Sequence, residues 1–289
     1  SASYLIPTSN NTTKAIFGYG YTSVNLSMTN LVSNTGVVAT DTTGVGTARA
    51  VLAAAGYGVD KAIFGYGNTS VAVSMTNLVS NTGVVATDTT GVGTARYTPA
   101  AARYGTDKAI FGYGQVSGPI AVSMTNLVSN TGVVATDTTG VGTARWSLAA
   151  AGYGTDKAIF GYGDNGSVYV SMANLVSNTG VVANDVTGIG TARHTLAAAG
   201  YGTDKAIFGY GTTGAVVSVT NLVSNTGLVA NDTTGVGTAR AYISAAGYGT
   251  DKAIFGYGLT SVNVSMTNLV SNTGVVATDT TGVGTARHA

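Results

Sequence analysis

The side chains able to do acid–base or ionic chemistry in this sequence are few, and they come in matched sets. Asp and Lys stand side by side at Asp60-Lys61, Asp107-Lys108, Asp156-Lys157, Asp204-Lys205 and Asp251-Lys252, with Thr13-Lys14 in the first copy. A second Asp recurs at Asp41, Asp88, Asp137, Asp185, Asp232 and Asp279, and an Arg closes each Thr-Ala-Arg phrase at Arg49, Arg96, Arg145, Arg193, Arg240 and Arg287. A group present in every copy of a repeat reads as structure, because catalysis needs one unique constellation. The expected role of Asp is turn formation, its carboxylate accepting from nearby backbone N–H groups. The expected role of Arg is to bond carbonyls or carboxylates of a neighbouring repeat with its planar fork.

What is missing narrows the chemistry further. There is no Cys, hence no thiolate nucleophile, thiolate metal site or disulfide framework. All 12 acids are Asp, and no unique carboxylate pair of the kind glycosidases use stands out. His194 and His288 lie in widely separated repeats, and no His/Asp cluster has metal-ligand spacing. Asp164-Asn165-Gly166 is too short to make a calcium loop. The sequence therefore predicts a protein that is not an enzyme, with no catalytic residue, metal or cofactor.

These sets are carried by one repeated frame. Lys-Ala-Ile-Phe-Gly-Tyr-Gly begins at Lys14, Lys61, Lys108, Lys157, Lys205 and Lys252, at intervals of 47, 47, 49, 48 and 47 residues. Between copies runs a second near-constant stretch, Ser74 to Arg96 in its clearest form, which contains Ser-Asn-Thr-Gly and Thr-Gly-Val-Gly-Thr-Ala-Arg. Self-similarity at this period means an array, a solenoid or a propeller. Short β-rich runs separated by Gly and Asn-Thr-Gly argue all-β, and no window carries a helical stripe. In the second repeat the expected strands are Leu52–Tyr57, Lys61–Tyr66, about Val71 to Ser80, and Val84–Thr89. Four antiparallel strands per repeat and six repeats predict a six-bladed β-propeller, with a β-solenoid as the structural rival. Leu-Ala-Ala-Ala-Gly would be the innermost strand, where only small side chains fit around the axis. Ala-Ile-Phe-Gly-Tyr would be buried on both faces. Residues 1–289 read as one domain, with repeats near 1–49, 50–96, 97–145, 146–193, 194–240 and 241–289. Closure is expected from face-to-face packing of the first and last repeats.

A net charge of +1 with 9% charged residues leaves no electrostatic footprint for nucleic acid. The apolar runs fall far short of the roughly 18 residues of a membrane-spanning helix, so no membrane insertion is expected. No signal peptide is visible at the start of the sequence.

The copies differ in two places. One follows the Arg: Ala50-Val51, Tyr97-Thr98, Trp146-Ser147, His194-Thr195 and Ala241-Tyr242. The other follows Phe-Gly-Tyr-Gly: Tyr21, Asn68, Gln115, Asp164-Asn165, Thr212 and Leu259, and continues to Asn25, Ala72, Ala121, Tyr169, Val216 or Asn263. In an up-and-down blade both links lie on one face, and the constant turns lie on the other. Aromatic residues on loops over a rigid scaffold suit recognition, since Tyr and Trp give large contact area at low entropy cost. The candidate ligand-binding residues are Tyr21, Tyr97, Trp146, Tyr169, His194, Tyr242, Asn68, Gln115, Asp164 and Asn165.

The Lys-Ala-Ile-Phe-Gly-Tyr-Gly and Thr-Gly-Val-Gly-Thr-Ala-Arg phrases resemble the kelch-like repeat β-propeller proteins of marine bacteriophages and cyanobacteria, over nearly the whole chain. The kelch Gly-Gly doublet is Gly-Tyr-Gly here and the kelch Trp is missing from every repeat, so the resemblance bears on fold more than on function. It implies a virion structural or tail-associated protein, in the virion or outside the cell. A recognition propeller of this kind would bind a cell-surface glycan or protein receptor through the variable face. The other class of function is structural, with blades or faces assembling with themselves or with other virion proteins into a particle or fibre.

Overall fold

The computed structural model describes residues 2–6 and 14–289, and every regular element in them is a β-strand. Each repeat folds as a three-stranded antiparallel sheet with its second strand in the middle. The first strands are Ala2–Ile6, Ala53–Tyr57, Ala100–Tyr104, Ala149–Tyr153, Ala197–Tyr201 and Ser244–Tyr248. The second strands begin at the repeated Lys and run, for example, Lys61–Gly65, and the third are Thr76–Val79 and its equivalents, longer in the first repeat at Asn25–Val32. A small extra hairpin, Gln115–Val116 with Ile120–Ala121, absorbs the insertion in the third repeat.

The first strands touch one another in a closed cycle: each contacts its two sequence neighbours, and Ala2–Ile6 contacts both Ala53–Tyr57 and Ser244–Tyr248. Their Ala and Gly content lets six backbones approach. In the second strand Ala62, Ile63 and Phe64 are all buried, because neighbouring repeats cover both faces of the sheet.

The expected fourth strand is not formed as a strand. Its segment is held to the third strand by two isolated bridges, Val79↔Val85 and Thr76↔Thr89 in the second repeat. Three steps along one chain face four along the other, so the ladder slips by one residue. The Asn77 side chain fills the gap, its Nδ2 donating to the Ala86 carbonyl at 3.0 Å and to Asp88 Oδ1 at 2.9 Å. The third strand is also shorter than expected. Tyr66, in the left-handed region at φ 64°, breaks the pairing just beyond Gly65.

That left-handed Tyr, repeated six times, serves the joint between repeats. Its carbonyl, turned out of the ladder, accepts Arg49 Nε at 2.9 Å. Arg49 also donates to Asn77 Oδ1 at 2.6 Å and the Thr47 carbonyl at 3.1 Å, lies 3.8 Å from Asp88, and covers the Tyr19 ring at 4.4 Å. Asp88 in turn accepts the Thr47 N–H and hydroxyl. Burial opposes ionisation of Asp88, but Thr47, Asn77 and Arg49 outweigh it and hold the carboxyl below its usual range. The last residue of one repeat is thus anchored in the next. The edge of Phe64 packs on Tyr19 at 5.1 Å, and a Cβ on Gly18 would lie 2.7 Å from that Phe. Glycine is required there by the close approach of the neighbouring sheet.

Closure uses the same joint. Arg287 donates to the Tyr19 carbonyl and Asn30, covers Tyr257, and lies 3.9 Å from Asp41. Phe17 packs on Tyr257. His288 then exchanges backbone hydrogen bonds with Tyr21. Packing alone was expected to close the array; instead the segment from Arg287 fills the slot that Arg49 and Ala50 fill in the second repeat.

Candidate functional site

Each first strand runs from the residues after the Arg toward the Gly-Tyr-Gly turn, so the cycle of sheets has two unlike ends. At one end lie the constant turns. There Asp60 accepts from Asn81 of the Ser-Asn-Thr-Gly turn at 2.9 Å, and Asp107, Asp156 and Asp204 accept from Asn130, Asn178 and Asn225 in the same way. The Asp of the Asp-Lys pair therefore ties two turns together through a side-chain amide, besides the expected backbone N–H, which at Asp156, Asp204 and Asp251 is the residue's own.

The other end gathers the variable positions, and it does so residue by residue. The residue after the Arg bridges the residue after Gly-Tyr-Gly, which bridges the start of the third-strand segment. The resulting triplets are His288·Tyr21·Asn25, Ala50·Asn68·Ala72, Tyr97·Gln115·Ala121, Trp146·Asp164·Tyr169, His194·Thr212·Val216 and Ala241·Leu259·Asn263. In five of the six, two stretches separated by some 17 residues in sequence thus form the ladder, and in the first His288 joins Tyr21 from the far end of the sequence. Neighbouring ladders also meet. Tyr169 stacks on His194 with ring centroids 4.3 Å apart, Asn25 donates to the Asn68 carbonyl, and His288 Nδ1 lies 2.6 Å from Asn263 Oδ1.

Within this frame the ten candidates differ in what they offer. Tyr21 and Tyr169 are exposed, and Tyr97, Trp146, His194 and Tyr242 are half-buried. Gln115 is buried, at 8% exposure, because it pairs on both sides with Tyr97 and Ala121; this removes it from the accessible surface. Asn68, Asp164 and Asn165 turn their side chains back on their own loops, accepting from Ser70, Gly166 and Ser167 with Val168 respectively. Trp146 lies over that last loop, so close to Gly166 that a Cβ there would sit 3.3 Å from the indole. Tyr242 stands one step inside the ladder. It belongs to an inner row, Val51, Thr98, Ser147, Thr195, Tyr242 and Ala289, in which each backbone N–H from Thr98 onward donates to the carbonyl of the residue before it in the row. Tyr4, the other spare aromatic, falls in mid-strand opposite Ile16, away from this end.

Where the first ladder meets the second, a depression of about 660 Å³ opens, lined by Tyr21, Asn25, Asn68, Tyr242 and His288 among others. Asn25, Asn263 and His288 were not among the candidates, although each is a position at which the copies differ. Tyr21 and Tyr242 flank the His288 ring at 5.5 and 5.4 Å.

Burial shifts both imidazoles at this end toward the neutral form. Burial pushes His288 from its ordinary 6.5 down to about 4, and pushes His194 down as well, whose Nδ1 is buried without a hydrogen-bond partner. A group whose folded value is depressed binds fewer protons folded than unfolded, so acid destabilises the fold through it. The melting midpoint is expected to fall as pH drops from about 6.5 toward 4, before the carboxylates of the Arg joints, such as Asp88 and Asp137, held below 3.8, begin to protonate. A H194Q/H288Q double variant should lose that first decline in calorimetric melts taken across the range. An undiminished decline in the double variant would refute the assignment.

Asp164 lies near enough to His194 to oppose, in part, the effect of burial on the imidazole, and among the described residues no three His or Asp side chains converge as metal ligands. The groups gathered here offer stacking, amide hydrogen bonding and shape. Neither the protein-family models nor the curated proteins compared with the chain give a match.

Proposed function

We propose that this chain is a six-bladed, kelch-like β-propeller that recognises a cell-surface glycan or protein receptor through its variable end, without catalysis. The single observation that carries the proposal is the triplet ladder: positions that differ among otherwise near-identical repeats are brought side by side, on one end only, and hold most of the spare aromatics. The closed cycle of first strands and the repeated Arg joint support the propeller. Stacking surfaces with amide groups beside them, as at Tyr169–His194 and around Tyr21 and His288, suit sugar rings and planar peptide groups. The resemblance to kelch-like phage proteins points to a virion or extracellular setting.

The expected result on a glycan array and in whole-cell binding is a defined ligand. The Trp146→Ala, Tyr97→Ala and Tyr169→Ala variants should bind it at least about tenfold more weakly, as for aromatic residues at recognition hot spots, while melting close to the unaltered protein. A structural role in a particle or fibre is the second reading. It is favoured by a set of exposed aliphatic residues at equivalent positions beside the constant turns, Val37, Val84, Val133, Val181, Leu228 and Val275, each at least 65% exposed. Concentration-dependent assembly, with no ligand found and no effect of the three substitutions, would replace the recognition reading by that one.

A further inference from the structure

The row of residues that faces the axis near the constant turns reads Gly56, Arg103, Gly152, Gly200 and Gly247 in the five repeats after the first. Arg103 is the seventh Arg, the one outside the Thr-Ala-Arg phrase, and it stands where its counterparts have no side chain at all. The six phrase arginines are buried and used up by Tyr carbonyls, Asn and Asp. Arg103 differs on each count. It is only half-buried, and among the described residues it makes neither a hydrogen bond nor an ion pair within 4.0 Å.

It lines a cavity of about 220 Å³ at that end of the axis. The wall is otherwise Ala, Gly and Tyr, with Thr155, Thr203 and Thr250 and with Lys157, Lys205, Lys252 and Asp251 at its edge. Lys157, Lys205 and Lys252 each lie within 3.2 Å of the adjacent Asp, so those charges are largely answered locally, while the Arg103 guanidinium feels only the Asp107 carboxylate, at longer range. The glycines keep the space open. A Cβ on Gly152 would lie 3.3 Å from the Arg103 carbonyl and one on Gly200 3.4 Å from the Gly152 carbonyl. A planar fork of N–H donors lining a half-open cavity, with ammonium and hydroxyl groups beside it, matches a compact oxyanion.

We infer that the axial cavity at the constant end is an anion site, in which Arg103 clamps a phosphate or the carboxylate of a small acid. The site lies at the opposite end from the variable ladders and is independent of any receptor bound there. Titration calorimetry at matched ionic strength with inorganic phosphate, glucuronate and neutral glucose tests it. Phosphate, glucuronate or both should bind and glucose should not, and the anion that binds identifies the source. Arg103→Gly restores the residue of the other repeats and should fold normally, yet bind at least about tenfold more weakly; Arg103→Lys, which keeps the charge but loses the fork, should fall in between. Equal binding by Arg103→Gly, or no binding of either anion by the unaltered protein at about 10 mM, the weakest affinity worth calling a site, would overturn the inference.

Discussion

Arg145→Met is expected to lower the unfolding free energy by about 3–5 kcal/mol, the cost of breaking a fully buried ionic network from one side. The Arg145 side chain has no exposed surface. It donates to the Tyr162 carbonyl at 2.8 Å, to Asn174 at 2.6 Å and to the Thr143 carbonyl at 3.0 Å, and covers the Tyr113 ring at 4.4 Å. Methionine would fill much of the volume but leave the Tyr162 carbonyl, already turned out of its ladder by a left-handed residue, with no donor. Asp185 would keep Thr143 and Asn174 but lose its neighbouring charge. Denaturant titration reads the loss. A change below about 1 kcal/mol, the size of an exposed ion pair, would mean that the network does not hold the joint. Arg103→Gly, which loses only a longer-range interaction with Asp107, is the internal control.

Phe208→Ala should cost a similar amount, about 3–5 kcal/mol, because it opens a cavity that the sheets cannot close. Phe208 is fully buried and meets the Tyr162 ring edge-on at 5.2 Å. Its tip also lies where a Cβ on Gly161 would approach to 2.7 Å. The space is bounded by backbone on one side and an aromatic ring on the other, so neither wall can relax inward. Equilibrium unfolding of the variant, with amide exchange in the fourth and fifth repeats, is the measurement. Undiminished stability would show that the Arg network alone joins the repeats.

How much of this could be seen in the residue string differs by level. The all-β class, the six copies and the small-residue innermost strand follow from the repeated phrases, since their spacing and side-chain size leave little choice. The register of the outer segment does not. Asn77 looks like any strand Asn, and only its two hydrogen bonds show that an amide side chain bridges the slip that keeps Val84–Thr89 from being a strand. The positive φ of Tyr66 was likewise hidden, because Tyr carries no signal for a left-handed backbone. The variable residues were legible as a set, because near-identical copies make every difference visible. Their individual accessibility was not. Gln115 and Asp164 hold corresponding positions, yet one is buried at 8% exposure while the other is half-buried with its carboxylate turned to its own loop. Arg103 was in plain view as the odd Arg. What the string could not show is that its frame position faces an open cavity.

The joint closed by Arg287 has the same partners as the joint closed by Arg49, although one is continuous chain and the other is not. The joint made by Arg287 is therefore equivalent in its contacts to those within the continuous chain. If the repeats form the proposed propeller, each joint sets the bend between two neighbours, and repeat number is expected to follow from the Arg–Tyr–Asn contact. Duplicating a unit would not simply enlarge the circle, because the extra member would need every joint to open its angle. Variation at the ladder end, set apart from that contact, is free of this constraint.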